Sequence, residues 1–464
     1  MQSTPPKMPA DVLAMRGASY VFNGAWVFTD SENRAMFQTR KTNFMPRAGM
    51  AWRLGPKSAL RAGFARYMVV PEMVVDTLGS MAYPGFDAAT TAAAALQGVP
   101  QAKLSNPFPS TNPLILPVGK GYGRYTSLGN PASWHQNDLR PAVSDRINVT
   151  LQRELRGGVI VDVTYFLNLG RDLPYTRNLG MANPAIGYQY KTVLAQTVAN
   201  PFYLYSTRDK FPGQLRNLAS VSKASLLGTY PQYSSVQQTN TNGILDRYHS
   251  LQVKAQRAFS RSFFFTAAYN FSRQKTYNFF NDDAIYAGNF TWLNSNLPRH
   301  RLSAATSYQL PFGKGRRLLA DTDRVTNGIL GGWSLSAVTT MNSGNFLRFG
   351  QATVSGNPII DNPSRDRWFN SSVFSPLPAY TPRANPWQYE GLTGPRNWNV
   401  DATLSKSFQV IERLRLELRL EAYNLTNSFI PTDPVTNIAL GTLGKSVNQS
   451  NKGREVQYTL RLHF

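Results

Sequence analysis

Apolar and polar residues alternate one for one along much of the chain. In Arg413–Leu425 (RLRLELRLEAYNL), Leu414, Leu416, Leu418, Leu420 and Ala422 fall on one face of an extended strand, and Arg415, Glu417, Arg419 and Glu421 on the other. A helix would scatter both sets around its circumference, so the two-residue period predicts a strand. The last segment, Gly453–Phe464, repeats the pattern. Val456, Tyr458, Leu460, Leu462 and Phe464 oppose Glu455, Gln457, Thr459, Arg461 and His463. Val159–Leu167, Ser262–Arg273 (Phe264 excepted) and Trp398–Ser405 alternate in the same way. The pattern predicts strands at 43–54, 58–70, 144–155, 159–171, 246–259, 262–273, 299–310, 331–345, 396–408, 413–425 and 453–464, with a weaker one at 18–29. Eleven residues at about 3.3 Å each, tilted by about 45°, rise roughly 25 Å, the height of the apolar band of a membrane barrel.

The connections add a second regularity. Gaps at 55–57, 156–158, 260–261 and 409–412 are short, whereas those at 71–143, 172–245, 274–298, 346–395 and 426–452 are long. Only 311–330 is generous where a short gap is due. Strict alternation of short and long connections is what an up-and-down barrel imposes when one set of loops is much the longer. The expected fold is therefore all-β: an antiparallel up-and-down transmembrane β-barrel of about twelve strands, with short periplasmic turns and long extracellular loops. A short helix is expected near Ala88–Leu96 (AATTAAAAL). A soluble sandwich or propeller would also alternate. Against it stand the strand length, the asymmetry of the loops and a polar face carrying Arg and Glu side by side. Arg or Lys on a lipid face would cost about 2–4 kcal/mol at the bilayer midplane.

Composition sharpens this picture. The chain has 464 residues, 49 Lys and Arg against 26 Asp and Glu, a net charge of +23, and no Cys. Charged residues make up only 16%, as expected if alternate strand positions face lipid. Much of the positive charge lies on the polar strand face and in turns, at Arg316, Arg317 and Arg413, where it would meet a wet lumen or anionic head groups. No nucleic-acid-binding motif accompanies it, so no nucleic-acid partner is expected. No apolar run reaches about 18 residues, which excludes a membrane-crossing helix. The opening MQSTPPKMPADVLAMRG does not read as a signal peptide.

Seven segments, in order over about 43–464, resemble the C-terminal barrel of Oar-like TonB-dependent outer-membrane receptors, the group whose N-terminus often carries a carboxypeptidase-regulatory-like domain. They are Asn43–Tyr67, Leu151–Pro174, Ser250–Ser272, Arg299–Leu319 (RHRLSAATSYQLPFGKGRRLL), Gly331–Leu347, Gly394–Asn427 and the terminal GREVQYTLRLHF. The resemblance implies the bacterial outer membrane, uptake of an unidentified extracellular ligand, no catalysis and no cofactor. It further implies contact with the TonB complex through an N-terminal region missing here. Leu414, Leu416, Leu418 and Leu420 would face outer-membrane lipid; Arg415, Glu417, Arg419, Glu421 and Arg461 would face the lumen. Tyr458, Leu460, Leu462 and Phe464 resemble the C-terminal signal read by the barrel-assembly machinery. A family barrel has about 22 strands around a plug. About twelve strands and no plug are legible, so 1–42 reads as the remnant of a preceding barrel strand or loop and 43–464 as the C-terminal barrel region. A closed twelve-stranded barrel is the alternative form. A passive pore or an adhesion or structural barrel is the alternative function.

Little else in the chain carries chemistry. His135, His249, His300 and His463 are too far apart in sequence to form a metal motif. Gly119, Lys120, Gly121 and Gly123 lack the ending of a phosphate loop. Thr276–Asn296 (TYNFFNDDAIYAGNFTWLNSN) interleaves aromatics with amides, which suits stacking on a sugar or peptide. Tyr277, Phe279, Phe280, Asp282, Asp283, Tyr286 and Trp292 are therefore the expected ligand lip, with Asp282–Asp283 the one candidate for a cation.

Overall fold

The computed structural model describes residues 5–35, 37–69, 84–90, 95–96, 99–100, 105–110, 112–260, 262–411 and 413–464. Its dominant feature is one 13-stranded sheet. Eleven strands form an antiparallel meander in chain order: β1 (Arg47–Gly55), β2 (Ser58–Val69), β3 (Ala142–Leu155), β4 (Val159–Asn178), β5 (Val236–Ser260), β6 (Phe263–Phe279), β7 (His300–Gln309), β8 (Trp333–Asn342), β9 (Asn397–Ile411), β10 (Leu414–Tyr423) and β11 (Glu455–His463). Two more strands join at the long-loop end. Phe290–Asn294 pairs antiparallel with β6, and Ala132–His135 pairs parallel with the start of β5. β1 and β11 do not pair with each other, so the sheet is open.

All eleven alternating segments are strands, and they alternate short and long connections as expected. Four details differ. Residues 18–29 are extended chain without sheet pairing, because their aromatic side chains pack into a loop core instead. Ala88–Thr90 are not helical, Ala95–Leu96 pair with Val99–Pro100, and the rest of the expected helix lies outside the described residues. β4 runs on to Asn178, β5 begins at Val236 and β6 ends at Phe279, so three strands rise well past their expected ends. The gap 274–298 is accordingly a tall hairpin rather than a loop.

Register makes the sheet two-faced. Residues directly opposite each other share a face. One face carries Trp52, Leu60, Leu151, Val163, Val253, Tyr269, Leu302, Met341, Trp398 and onward, strand after strand. It ends on Leu404, Leu420 and Tyr458, with Leu418 opposite Leu460 and Leu416 opposite Leu462. Many of these side chains are uncovered, Tyr458 at 78% and Leu460 at 65% among them. The other face pairs Thr150 with Thr164, Gln152 with Asp162, Ser250 with Ser272 and Glu417 with Arg461. Phe166 and Val338 are apolar intrusions on it.

The described hydrophobic cores lie in the loops and not against the sheet's mid-section. One gathers Met8, Val12, Phe202, Phe211, Leu226 and Tyr233; the other gathers Leu347, Phe349, Phe369, Phe374 and Leu392. A sheet stable in water would bury its apolar face, since exposed apolar patches on soluble proteins rarely exceed a few hundred Å².

Candidate functional site

The long-loop end is an ordered cap. Its centre is an aromatic ladder that starts from the register of the tall hairpin: Tyr277 lies opposite Trp292 and Phe279 opposite Phe290. Phe279 stacks on Phe290 with centroids 4.2 Å apart, Tyr277 on Phe290 at 5.4 Å, and Tyr277 meets Trp292 at 5.2 Å. Tyr175 from β4 stands edge-on to Phe279 and Phe290, and the Arg247 guanidinium lies 4.4 Å above Trp292. Each aromatic pair adds about 0.5–1.5 kcal/mol beyond its buried area. The ladder thus stiffens the extensions of β4, β5 and β6 above the sheet.

The seven lip residues do not converge on one cavity. Tyr277, Phe279 and Trp292 belong to the ladder. Phe280 gives its carbonyl to Trp387 Nε1 at 3.0 Å, which ties the hairpin to the second loop core. Asp282 and Asp283 occupy the first turn of the short Asp282–Ala287 helix, capped by Asn281. Tyr188 donates to Asp283 Oδ2 at 3.3 Å; burial and the two aspartates push its pKa up to about 12. Tyr286 is exposed. Among the described residues, no group of three His, Asp or Glu gathers to hold a metal ion.

A cavity of about 660 Å³ lies elsewhere in the cap, lined by Trp26, Phe28, Phe86, Trp134, Tyr230 and Tyr233 among others. The segment before it is pinned by hydrogen bonds to its carbonyls: Gln232 Nε2 donates to Asn23 and Tyr233 Oη to Gly24. Trp26 and Trp134 meet edge-on at 6.4 Å. His135 joins the lining, its Nδ1 2.7 Å from Thr239 Oγ1 and 2.9 Å from the Asn240 amide nitrogen. Burial holds this imidazole below its ordinary value of 6.5. Sequence reasoning missed the cavity, because its walls come from segments far apart in the chain: 24–29, 84–86, 132–137, Leu179 and 230–236. The signal present was the density of aromatics at Trp26, Phe28 and Trp134, with His135 beside them.

The second loop core is locked by Arg383. Its guanidinium is buried, donates to the carbonyls of Phe349, Gly350 and Asn385, and lies 3.5 Å from the Trp387 ring centroid. Arg299, at the foot of β7, reaches Glu390 at 2.7 Å and holds that carboxyl below its usual range.

The polar face is laterally bonded. Arg419 Nε lies 2.6 Å and His463 Nε2 3.1 Å from the Glu417 carboxylate, and Thr459 donates to Glu421. Arg415 and Arg461 are exposed on the same face. On the apolar face, two Tyr–His pairs recur near the long-loop end: Tyr165 with His249 and Tyr269 with His300, each 2.7 Å from hydroxyl to Nδ1. Lys120 donates to the Thr29 carbonyl, so the glycine-rich turn at 119–123 braces the N-terminal segment.

The family profile for the outer membrane beta barrel domain matches residues 6–457. The chain belongs to the outer-membrane β-barrel domain family. This places the barrel domain in the bacterial outer membrane. Its fold is similar to those of solved receptors and transporters. The siderophore receptor PirA from Acinetobacter baumannii is 12% identical at a TM-score of 0.41, over 91% of this chain and 41% of that one. The outer membrane transporter YddB from Escherichia coli is 12% identical at 0.41, over 89% and 39%. The ferric-catecholate import receptor Fiu from E. coli K12 is 10% identical at 0.40, over 90% and 34%. The barrel domain spans about two fifths or less of these chains. No curated protein matches it.

Proposed function

We propose that this chain is the barrel portion of an outer-membrane receptor-transporter of the Oar-like TonB-dependent type, which captures a ligand from outside the cell. The observation that carries the reading is the ordered cap, in which two long loops and the N-terminal segment enclose an aromatic cavity above a two-faced sheet. The apolar face, with Leu414, Leu416, Leu418 and Leu420, meets lipid, and the face with Arg415, Glu417, Arg419, Glu421 and Arg461 meets the wet lumen. A salt-bridged, hydrogen-bonded face is tolerable in water and costly in hydrocarbon. Short turns then lie in the periplasm and the cap outside. Residues 43–464 are the barrel region and 1–42 the remnant of a preceding strand or loop, of which Met8, Val12 and Trp26 pack into the cap. Tyr458, Leu460 and Leu462 on the last strand, with Phe464 just after it, address the barrel-assembly machinery. Energy for release into the periplasm comes from the TonB complex, through a region N-terminal to the barrel.

The test compares the solutes removed from the medium by cells that express the protein and cells that lack it, with and without a protonophore. A solute depleted only by expressing, energised cells supports the reading. Depletion that persists under the protonophore, as a passive pore gives, or no difference at all contradicts it.

A further inference from the structure

The connection from β7 to β8 breaks the rule of short turns, and it lies at the end of the sheet away from the cap. It folds back on itself at 312–318, with Gly313 donating to the Leu318 carbonyl, and then forms a helix over Arg324–Leu330 capped by Asp323. Three contacts fix the direction of that helix. Asn327 Oδ1 accepts from the Lys314 backbone, which turns this side of the helix toward the 313–315 turn. Trp333 Nε1 donates to the Ile329 carbonyl at 2.9 Å, and Lys406 Nζ donates to the carbonyls of Gly328 and Ile329 at 2.5 and 3.0 Å. Trp333 and Lys406 are directly opposite each other on the apolar face of the sheet. The helix C-terminus is therefore docked against the apolar side and not against the polar one.

What the contacts leave over is apolar. Val325 and Ile329, one helical turn apart, are 71% and 63% exposed, and Leu330, Leu318 and Leu319 are exposed beside them. Cations surround this patch. Lys314, Arg317 and Arg324 are exposed, and the apolar face carries Arg153, Arg257 and Lys406 at this same end of its strands. Apolar side chains ringed by basic ones at the edge of a lipid-facing surface are complementary to glycerophospholipids: acyl chains for the first, head-group phosphates for the second.

We propose that the 311–332 connection is an interfacial anchor, its Arg324–Leu330 helix lying in the periplasmic leaflet of the outer membrane with Val325, Ile329 and Leu330 among the acyl chains. Arg317 and Arg324 engage the head-group phosphates. The anchor fixes the height of β7–β9 in the bilayer, because Lys406 and Trp333 tie it directly to the strands. This rests on the reading that the apolar face meets lipid, and the experiment separates the two.

The chain has no Cys, so single cysteines can be introduced into the full protein and labelled with an environment-sensitive fluorophore in bilayers of outer-membrane phospholipids. Ile329→Cys, Asp321→Cys and Leu418→Cys are compared, using lipids with a quencher on the acyl chain and a water-soluble quencher. An interfacial helix sits about 5–10 Å into the head-group boundary. Ile329→Cys should then lose about half or more of its emission to the lipid quencher, as Leu418→Cys does, while Asp321→Cys responds mainly to the aqueous one. If Ile329→Cys behaves like Asp321→Cys while Leu418→Cys remains lipid-quenched, the anchor is wrong and the face assignment stands. If Leu418→Cys is quenched from water, both fail. Replacing Arg317 and Arg324 by Gln should weaken the Ile329→Cys lipid signal in anionic bilayers more than in zwitterionic ones; equal loss in both would overturn the head-group assignment.

Discussion

Leu418 lies directly opposite Leu460 across the last two strands, one position along from Glu417 opposite Arg461. Adjacent residues thus belong to two different faces of the sheet. Leu418→Arg puts a charge on the apolar face and should cost about 2–4 kcal/mol in the bilayer. Glu417→Gln keeps the shape and, through its one amide oxygen, the hydrogen bond from Arg419, while its NH2 faces His463 Nε2. The yield of heat-modifiable, protease-protected protein in the outer membrane should fall severalfold for the first and stay close to wild type for the second. Because Arg419 and His463 both bond to the Glu417 carboxylate, Glu417→Arg would gather like charges and is the harsher change.

Phe290 holds the tall hairpin together by touching Phe279, Tyr277 and Tyr175. Phe290→Ala removes three ring contacts and should destabilise this region by on the order of 2 kcal/mol. Amide exchange over 276–279 should accelerate by at least tenfold, while the mid-strand amides of β6 at 265–270 are unchanged. Uniform exchange would show that the ladder is not a local staple.

Arg383 satisfies three backbone carbonyls from inside the second loop core. Arg383→Met takes the donor from the Phe349 and Asn385 carbonyls, at about 1–3 kcal/mol each, while Asn385 Nδ2 still serves Gly350. Arg383→Lys restores charge but neither the fork of donors nor the planar contact with Trp387, so it should rescue poorly. Chymotryptic cleavage within 345–395 on intact cells should speed up for both variants.

Acid should loosen the aromatic cavity through His135. Its folded pKa is held low by burial, so the unfolded ring binds a proton at higher pH than the folded one. The stabilisation is whole above about 6.5 and is lost as pH falls through the lower folded value. Protonation also places an N–H at Nδ1 against the Asn240 amide. Emission from Trp26 and Trp134 should shift to the red between pH 7.5 and 5, and His135→Gln should flatten that change.

The alternation in the sequence was enough to place eleven strands, because period two is written into each strand by its own two environments. Register needed the structure: no sequence pattern shows that a Cβ at Gly63 would meet Asn148 Oδ1 at 2.8 Å. The cap was legible only in part. Tyr277, Phe279 and Trp292 stood out as aromatics in a polar stretch, yet nothing local revealed that they lean on each other and on Tyr175. The cavity, built from 24–29, 84–86, 132–137 and 230–236, depends on long-range packing with no periodic trace. Residues 18–29 misled for the same reason: their aromatics alternate as in a strand but serve a loop core.

The central claim is that one face of this sheet meets lipid and the other water. Spin labels placed singly from Leu414 to Glu421 in membrane-inserted protein test it most directly, by comparing collisions with oxygen, which concentrates in lipid, against a water-soluble nickel chelate. A two-residue oscillation is expected, with oxygen access highest at Leu414, Leu416, Leu418 and Leu420 and chelate access highest at Arg415, Glu417, Arg419 and Glu421. Oscillation of the opposite phase, or the same access at all eight positions, would contradict it.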